Sequence, residues 1–136
     1  MTTRVLERDL VIVACAISAG IHGALVKEHF AEGLGAGMGF LVSTVLLAAY
    51  AVALTDAAET VVLASTALLL AGLVAAYAFA VTTGVPVLHP EVESVDGLAL
   101  STKAVELCGL AASLHLLAAG HVPRRRLIPP TERSLT

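Results

Sequence analysis

Residues 60–81 read TVVLASTALLLAGLVAAYAFAV, and this stretch contains no Asp, Glu, Lys or Arg. A helix needs about 20 mainly apolar residues to cross the hydrocarbon core of a bilayer. Three further apolar stretches occupy residues 10–26, 34–54 and 98–119. None of the four stretches alternates apolar and polar residues as a membrane β-strand does. The pattern therefore predicts four membrane-spanning helices.

The composition agrees with this prediction. Hydrophobic residues make up 57% of the 136 residues and charged residues only 14%, whereas soluble domains contain about 25% charged residues. The first stretch is longer than the ~7–15-residue apolar core of a signal peptide and lacks a small-residue cleavage site after it, so we expect it to be retained. We predict an all-α, integral membrane four-helix bundle over residues 1–123 and a short cytoplasmic tail over residues 124–136.

The basic residues concentrate near the two ends of the chain. Of the eight Lys and Arg residues, only Lys27 and Lys103 lie between the start of the first stretch and the end of the fourth. Segments rich in Lys and Arg stay on the cytoplasmic side of a membrane. The distribution therefore predicts an up-down-up-down bundle in the plasma (inner) membrane with both termini cytoplasmic. The turn at residues 28–33 and the loop at residues 82–97 would face outward.

Three ionisable residues fall inside the outward half of the predicted membrane region. His22 lies on the first stretch, while Lys103 and Glu106 are three residues apart on the fourth and close enough to pair. Ionisable groups at such depth are costly and commonly mark functional sites. We predict His22, Lys103 and Glu106 as a ligand site or an ion relay. The alternative is an internal ion pair that only stabilises helix packing.

The outward turns add further histidines and carboxylates. Imidazole and carboxylate groups suit transition metals, so copper, zinc or iron is the predicted cofactor. The spacing matches no HExxH or CxxC signature, and the alternative is a solvated acidic surface. The predicted metal ligands are His22, Glu28, His29, His89, Glu91 and Glu106.

Haem and thiol chemistry are less favoured by the sequence. His22 and His115 would lie in opposite leaflets, so they would not share one haem. A haem between His29 and His89 would lack the aromatic residues that commonly surround the group. Cys15 and Cys108 have no CxxC spacing and are interpreted as small core residues, with a thiol redox pair as the alternative.

These features lead to one main functional hypothesis. An outward-facing His/Glu site would bind a transition metal or a small ligand for uptake, delivery or redox chemistry. The alternatives are an ion- or proton-coupled transporter or permeation subunit, an accessory structural subunit of a larger membrane complex, and an enzyme using His and Glu as acid and base. Expected partners are the lipid bilayer and a homo-oligomer or larger complex, and no basic-aromatic patch suggests nucleic acid.

Overall fold

The computed structural model describes residues 3–56, 59–84 and 92–120, and these residues form helices and no strand. The helices are α1 (Thr3–Glu32), α2 (Leu34–Asp56), α3 (Thr60–Thr82) and α4 (Gly97–Gly120). Each of them is long and apolar enough to cross a membrane. The prediction of an all-helical fold with four membrane-type helices is therefore confirmed. The predicted ligands His89 and Glu91 lie outside the described residues.

The first helix extends beyond the predicted residues 10–26 at both ends. Its 30 residues correspond to about 45 Å of helix, which exceeds the ~30 Å hydrocarbon core of a bilayer. Near its beginning, the Arg4 guanidinium donates to the carbonyl oxygen of Ala119 over 2.8 Å. The Glu7 carboxylate lies 3.0 Å from Nδ1 of His115. The polar ends of α1 were not recognised because the prediction relied on hydropathy.

The helices do not contact one another equally. Helix α1 packs against α2 and α4, α4 packs against α3, and the contact between α2 and α3 is much smaller. Helices α1 and α4 run in opposite directions, since Arg4 bonds Ala119 while Ser18 bonds Glu106. Their close approach depends on Gly109, where an added Cβ would lie 2.8 Å from the Cβ of Ala14. The reduced contact leaves space between α2 and α3.

An apolar core fills the half of the bundle near Asp56 and Gly120, which we call the closed end. Leucine, valine and alanine side chains from all four helices pack there together with the free thiol of Cys15. Such packing excludes water and is close to crystal density in proteins. Members of this core are Val11, Cys15, Leu47, Leu54, Leu63, Leu70, Ala112 and Leu116.

The outer surface of the bundle is also apolar. Large hydrophobic side chains on each helix are exposed, among them Val13 at 51%, Val52 at 66%, Leu68 at 76% and Leu114 at 53%. Soluble monomers rarely expose contiguous apolar surface of this extent. The surface is suited to contact with lipid chains, in agreement with the length of the helices.

Helix α4 begins at a side-chain cap. The Asp96 carboxylate accepts a hydrogen bond of 2.8 Å from the backbone N–H of Ala99, which satisfies one of the free donors of the first turn. Asp96 and this cap lie at the end of the bundle opposite Asp56. We call the end that contains Asp96 the cavity end.

Candidate functional site

A buried carboxylate connects helices α1 and α4. Glu106 is completely inaccessible to solvent. Its Oε1 accepts a hydrogen bond of 2.7 Å from the Ser18 hydroxyl, and its Oε2 accepts one of 2.6 Å from Nζ of Lys103. A buried charge is tolerated only when it is paired and hydrogen-bonded. The predicted Lys103–Glu106 pair is confirmed, and Ser18 gives the second oxygen a donor.

His22 lies beside this carboxylate. Its Nδ1 is 2.9 Å from the Ser18 carbonyl oxygen, which can only accept, so Nδ1 carries the hydrogen of this bond. In the neutral ring, Nε2 is then an acceptor. Nε2 lies 4.0 Å from Oε1 of Glu106, which is beyond hydrogen-bond length. Two acceptors thus face each other, and a proton or a donor group between them would make the contact favourable.

His29 repeats this arrangement two helical turns further along α1. Its Nδ1 is 3.0 Å from the carbonyl oxygen of Leu25, and its Nε2 is 3.9 Å from the Glu32 carboxylate. The ring stacks on Phe40 of α2 with a centroid distance of 3.6 Å, while the His22 ring lies 5.1 Å from the same Phe40 ring. Phe40 therefore contacts both imidazoles.

A cavity of about 500 Å³ extends from the cavity end of the bundle to His22 and Lys103. All four helices contribute to it, with small residues of α2 and α3 at the place where these two helices separate. One wall is apolar and contains Leu25, Phe40, Leu73, Ala76, Tyr77 and Ala80. The charged and imidazole groups that line it are His22, Glu28, His29, Glu32, Glu93, Asp96 and Lys103.

Lys103 forms part of the cavity floor together with Tyr77. The Lys103 ammonium lies 5.7 Å from the centroid of the Tyr77 ring, within the range of a cation–π contact. Only 13% of the lysine side chain is exposed. Among the described residues, the buried Tyr77 hydroxyl has no hydrogen-bond partner. The floor is therefore polar but neutral overall, because Glu106 compensates the charge of Lys103.

The predicted site residues divide into three sets. His22, Lys103 and Glu106 come together in the buried network. Glu28 and His29 lie along the cavity closer to its rim, and they do not contact that network directly. His89 and Glu91 belong to the part of the chain that the structure does not describe. Within residues 3–56, 59–84 and 92–120, no three His, Cys, Asp or Glu side chains are placed to hold one metal ion.

The geometry gives a reason for this separation. His22 and His29 are seven residues apart, which is about 10 Å along a helix, and both rings pack on Phe40. Zinc ligands must lie within about 2.0–2.2 Å of one point. The metal hypothesis for the six predicted ligands is thus not tested by the described residues alone and stays a prediction.

Sequence reasoning missed the aromatic part of the site. Phe40 and Tyr77 are two of only five Phe and Tyr residues in the chain, and both line the cavity. Their rarity in an Ala- and Leu-rich sequence was the available signal. Cys15 is buried in the core as predicted, whereas Cys108 is exposed, so the prediction was wrong for Cys108 alone.

Comparison with protein-family models, curated proteins and solved structures finds no match to this chain.

Proposed function

We propose that this multi-pass membrane protein binds a small ligand in the cavity that ends at His22 and Lys103. The observation that carries the proposal is the cavity itself. Its volume of about 500 Å³ lies within the ~300–1,000 Å³ typical of ligand sites, which combine apolar walls with a few convergent polar groups. An ion pair that only stabilised helix packing would need no such space beside it.

The cavity end is proposed to face outward. This follows from an up-down-up-down bundle in the plasma (inner) membrane with both termini cytoplasmic, which the Lys and Arg distribution favours. The apolar core at the closed end would then separate the site from the cytoplasm. A ligand would be received from outside, for uptake or delivery.

The orientation predicts a labelling pattern for single cysteines introduced after Cys15→Ala and Cys108→Ala. Ala31 is exposed at the cavity end, and Thr3 is exposed at the start of α1. We expect a membrane-impermeant maleimide to label Ala31→Cys in intact cells and Thr3→Cys only after permeabilisation. The reverse pattern would contradict the orientation and leave the cavity facing the cytoplasm.

If the cavity binds a ligand, a larger side chain that fills the cavity should reduce the stabilisation by that ligand. Gly39 lines the cavity, and a Cβ added there meets no atom within 4 Å, so Gly39→Leu is expected to fold and occupy ligand space. The measurement is thermal stability in nanodiscs with a panel of amines, carboxylates, sugars and divalent copper, zinc and iron. At about 100 times its Kd, a ligand adds ~2.7 kcal/mol, equal to several degrees.

The matched control is Gly72→Leu. Gly72 is also helical, exposed and free of atoms within 4 Å of an added Cβ, but it does not line the cavity. We expect a compound that stabilises the wild type to stabilise Gly72→Leu equally and Gly39→Leu much less. The proposal fails if no compound stabilises the wild type, or if Gly39→Leu retains the whole effect.

A second candidate function is ion- or proton-coupled transport. Glu106 supports it, because this buried carboxylate lies nine residues inside α4, roughly 14 Å from the helix start. Because the closed end is packed with apolar residues, transport would require a second conformation. Reconstituted vesicles containing a pH-sensitive dye distinguish the two functions. Proton flux that disappears in Glu106→Gln favours transport, whereas ligand binding without flux favours a binding protein.

A further inference from the structure

We infer that the cavity takes an organic ammonium ion, a molecule with N–H donors and positive charge on an apolar body. This inference specifies the ligand class and rests on the proposed binding function. It depends on three features of the described residues: the charge of the cavity, the hydrogen-bonding character of the wall formed by α1, and the apolar lining. Each feature excludes a different class of ligand.

The charge of the cavity favours cations. Among the described lining residues there are four carboxylates and one ammonium group, and that ammonium is paired with the buried Glu106. The formal charge of Lys103 is therefore compensated at the floor, and the described carboxylates of the rim outnumber the described cationic groups. A cavity lined by one sign of charge attracts ligands of the opposite sign. Anionic ligands would meet repulsion from Glu28, Glu32, Glu93 and Asp96.

The wall formed by α1 presents acceptors. The His22 side chain is only 8% exposed and lines the cavity. Its Nδ1 hydrogen is used by the Ser18 carbonyl, and within the described chain its Nε2 has no hydrogen bond. Nδ1 of His29 donates its hydrogen to the carbonyl oxygen of Leu25 in the same way. In the neutral ring, Nε2 of His29 is therefore an acceptor. A buried acceptor of this kind calls for a donor from the ligand.

The apolar lining of the cavity selects for a hydrocarbon portion. Leu73 and Tyr77 of α3 offer apolar and aromatic surface, and Phe40 of α2 adds to it beside the imidazoles. Aromatic faces also attract ammonium groups directly. A hydrated inorganic cation would satisfy the rim but leave this apolar surface unused. An alkyl or aryl ammonium ion uses the charge, the acceptors and the apolar surface together.

The test uses four probes that have an unbranched alkyl chain of five or six carbons and different head groups. Hexylammonium carries charge and N–H donors, trimethylhexylammonium carries charge without N–H, hexanol is neutral, and hexanoate is an anion. Apparent Kd values come from thermal stabilisation of the wild type in nanodiscs. We expect hexylammonium to bind about tenfold more tightly than hexanol or hexanoate, with trimethylhexylammonium in between. Tenfold corresponds to about 1.4 kcal/mol.

A pair of charge-neutralised variants locates the binding. Glu28→Gln with Glu32→Gln removes two exposed rim carboxylates, and we expect about a fivefold to tenfold increase in the apparent Kd for hexylammonium. Asp56→Asn with Glu59→Gln is the matched control. It removes two exposed carboxylates at the closed end, where Glu59 makes no side-chain cap hydrogen bond. The control is expected to change the apparent Kd less than twofold.

Several outcomes would overturn the inference. Hexanoate or hexanol binding as tightly as hexylammonium would exclude the ammonium class. If the rim variant and the closed-end variant change the apparent Kd for hexylammonium equally, hexylammonium does not bind in the cavity. If another compound class stabilises the wild type but not Gly39→Leu, the ammonium inference fails while the proposed binding function stands. If Gly39→Leu retains every stabilisation seen in the wild type, both fail.

Discussion

Lys103→Met is expected to destabilise the protein by about 3–5 kcal/mol, because it leaves the fully buried Glu106 carboxylate without its positive partner. The hydrogen bond from Ser18 would remain, but one neutral donor does not compensate a charge removed from water. The measurement is the free energy of unfolding in mixed micelles with a denaturing detergent. Methionine keeps the length and most of the volume of lysine, so lost packing contributes little.

Two further variants separate the buried charge from other effects. Lys103→Met combined with Glu106→Met removes both charges, and we expect it to recover most of the lost stability, since a buried ion pair is often replaceable by apolar residues. Lys27→Met alters an exposed lysine on α1 and should change the free energy by less than about 0.5 kcal/mol. Equal destabilisation of the single and double variants would mean that the pair is not the cause.

Gly109→Ala is expected to destabilise the protein by about 1–3 kcal/mol, the usual cost of overpacking a close contact. The new Cβ would lie 2.8 Å from the Cβ of Ala14 and 3.2 Å from a Leu70 methyl group. Since the Ala14 Cβ is fixed to the backbone of α1, relief requires α1 and α4 to move apart. Such movement would also lengthen the bond between Ser18 and Glu106. Unfolding in mixed micelles again provides the measurement.

Gly72→Ala is the control for this prediction and should have the opposite sign. An added Cβ at Gly72 meets no atom within 4 Å, and alanine is favoured over glycine in a helix by about 1 kcal/mol. Gly109→Ala combined with Ala14→Gly should recover part of the stability because it restores the space. If Gly109→Ala is as stable as Gly72→Ala, the close approach of α1 and α4 is not limiting.

The residues that were placed correctly from the sequence are those whose partners are local. Lys103 and Glu106 pair because residues three apart share a helix face. The hydrogen bond between Ser18 and Glu106 joins residues 88 positions apart. The sequence placed His22 and Glu106 in the same part of the bundle, but it did not specify which face of α4 the first helix would meet.

The metal hypothesis illustrates the same limit. Its residues were grouped because they belong to the same end of the chain's helices, and that grouping holds for His22, Glu28, His29 and Glu106. Metal coordination requires the ligand atoms to be placed to within a fraction of an ångström. The location of several residues at the same end of the bundle does not ensure this. Phe40, on a different helix, contacts both imidazoles. Its position depends on the packing of α2 against α1.

The sequence alone determined that the chain forms four membrane-type helices and that His22, Lys103 and Glu106 lie toward the same end of them. Hydropathy and helical period are local properties, so they can be read residue by residue. Only the tertiary structure decided that α2 and α3 separate, that a cavity fills the space between the helices, and that it ends at a buried Lys–Glu pair. Such features depend on which helix faces pack against each other, as Gly109 of α4 packs against Ala14 of α1. Contacts between residues so far apart in the chain are not specified by the local pattern of a single sequence.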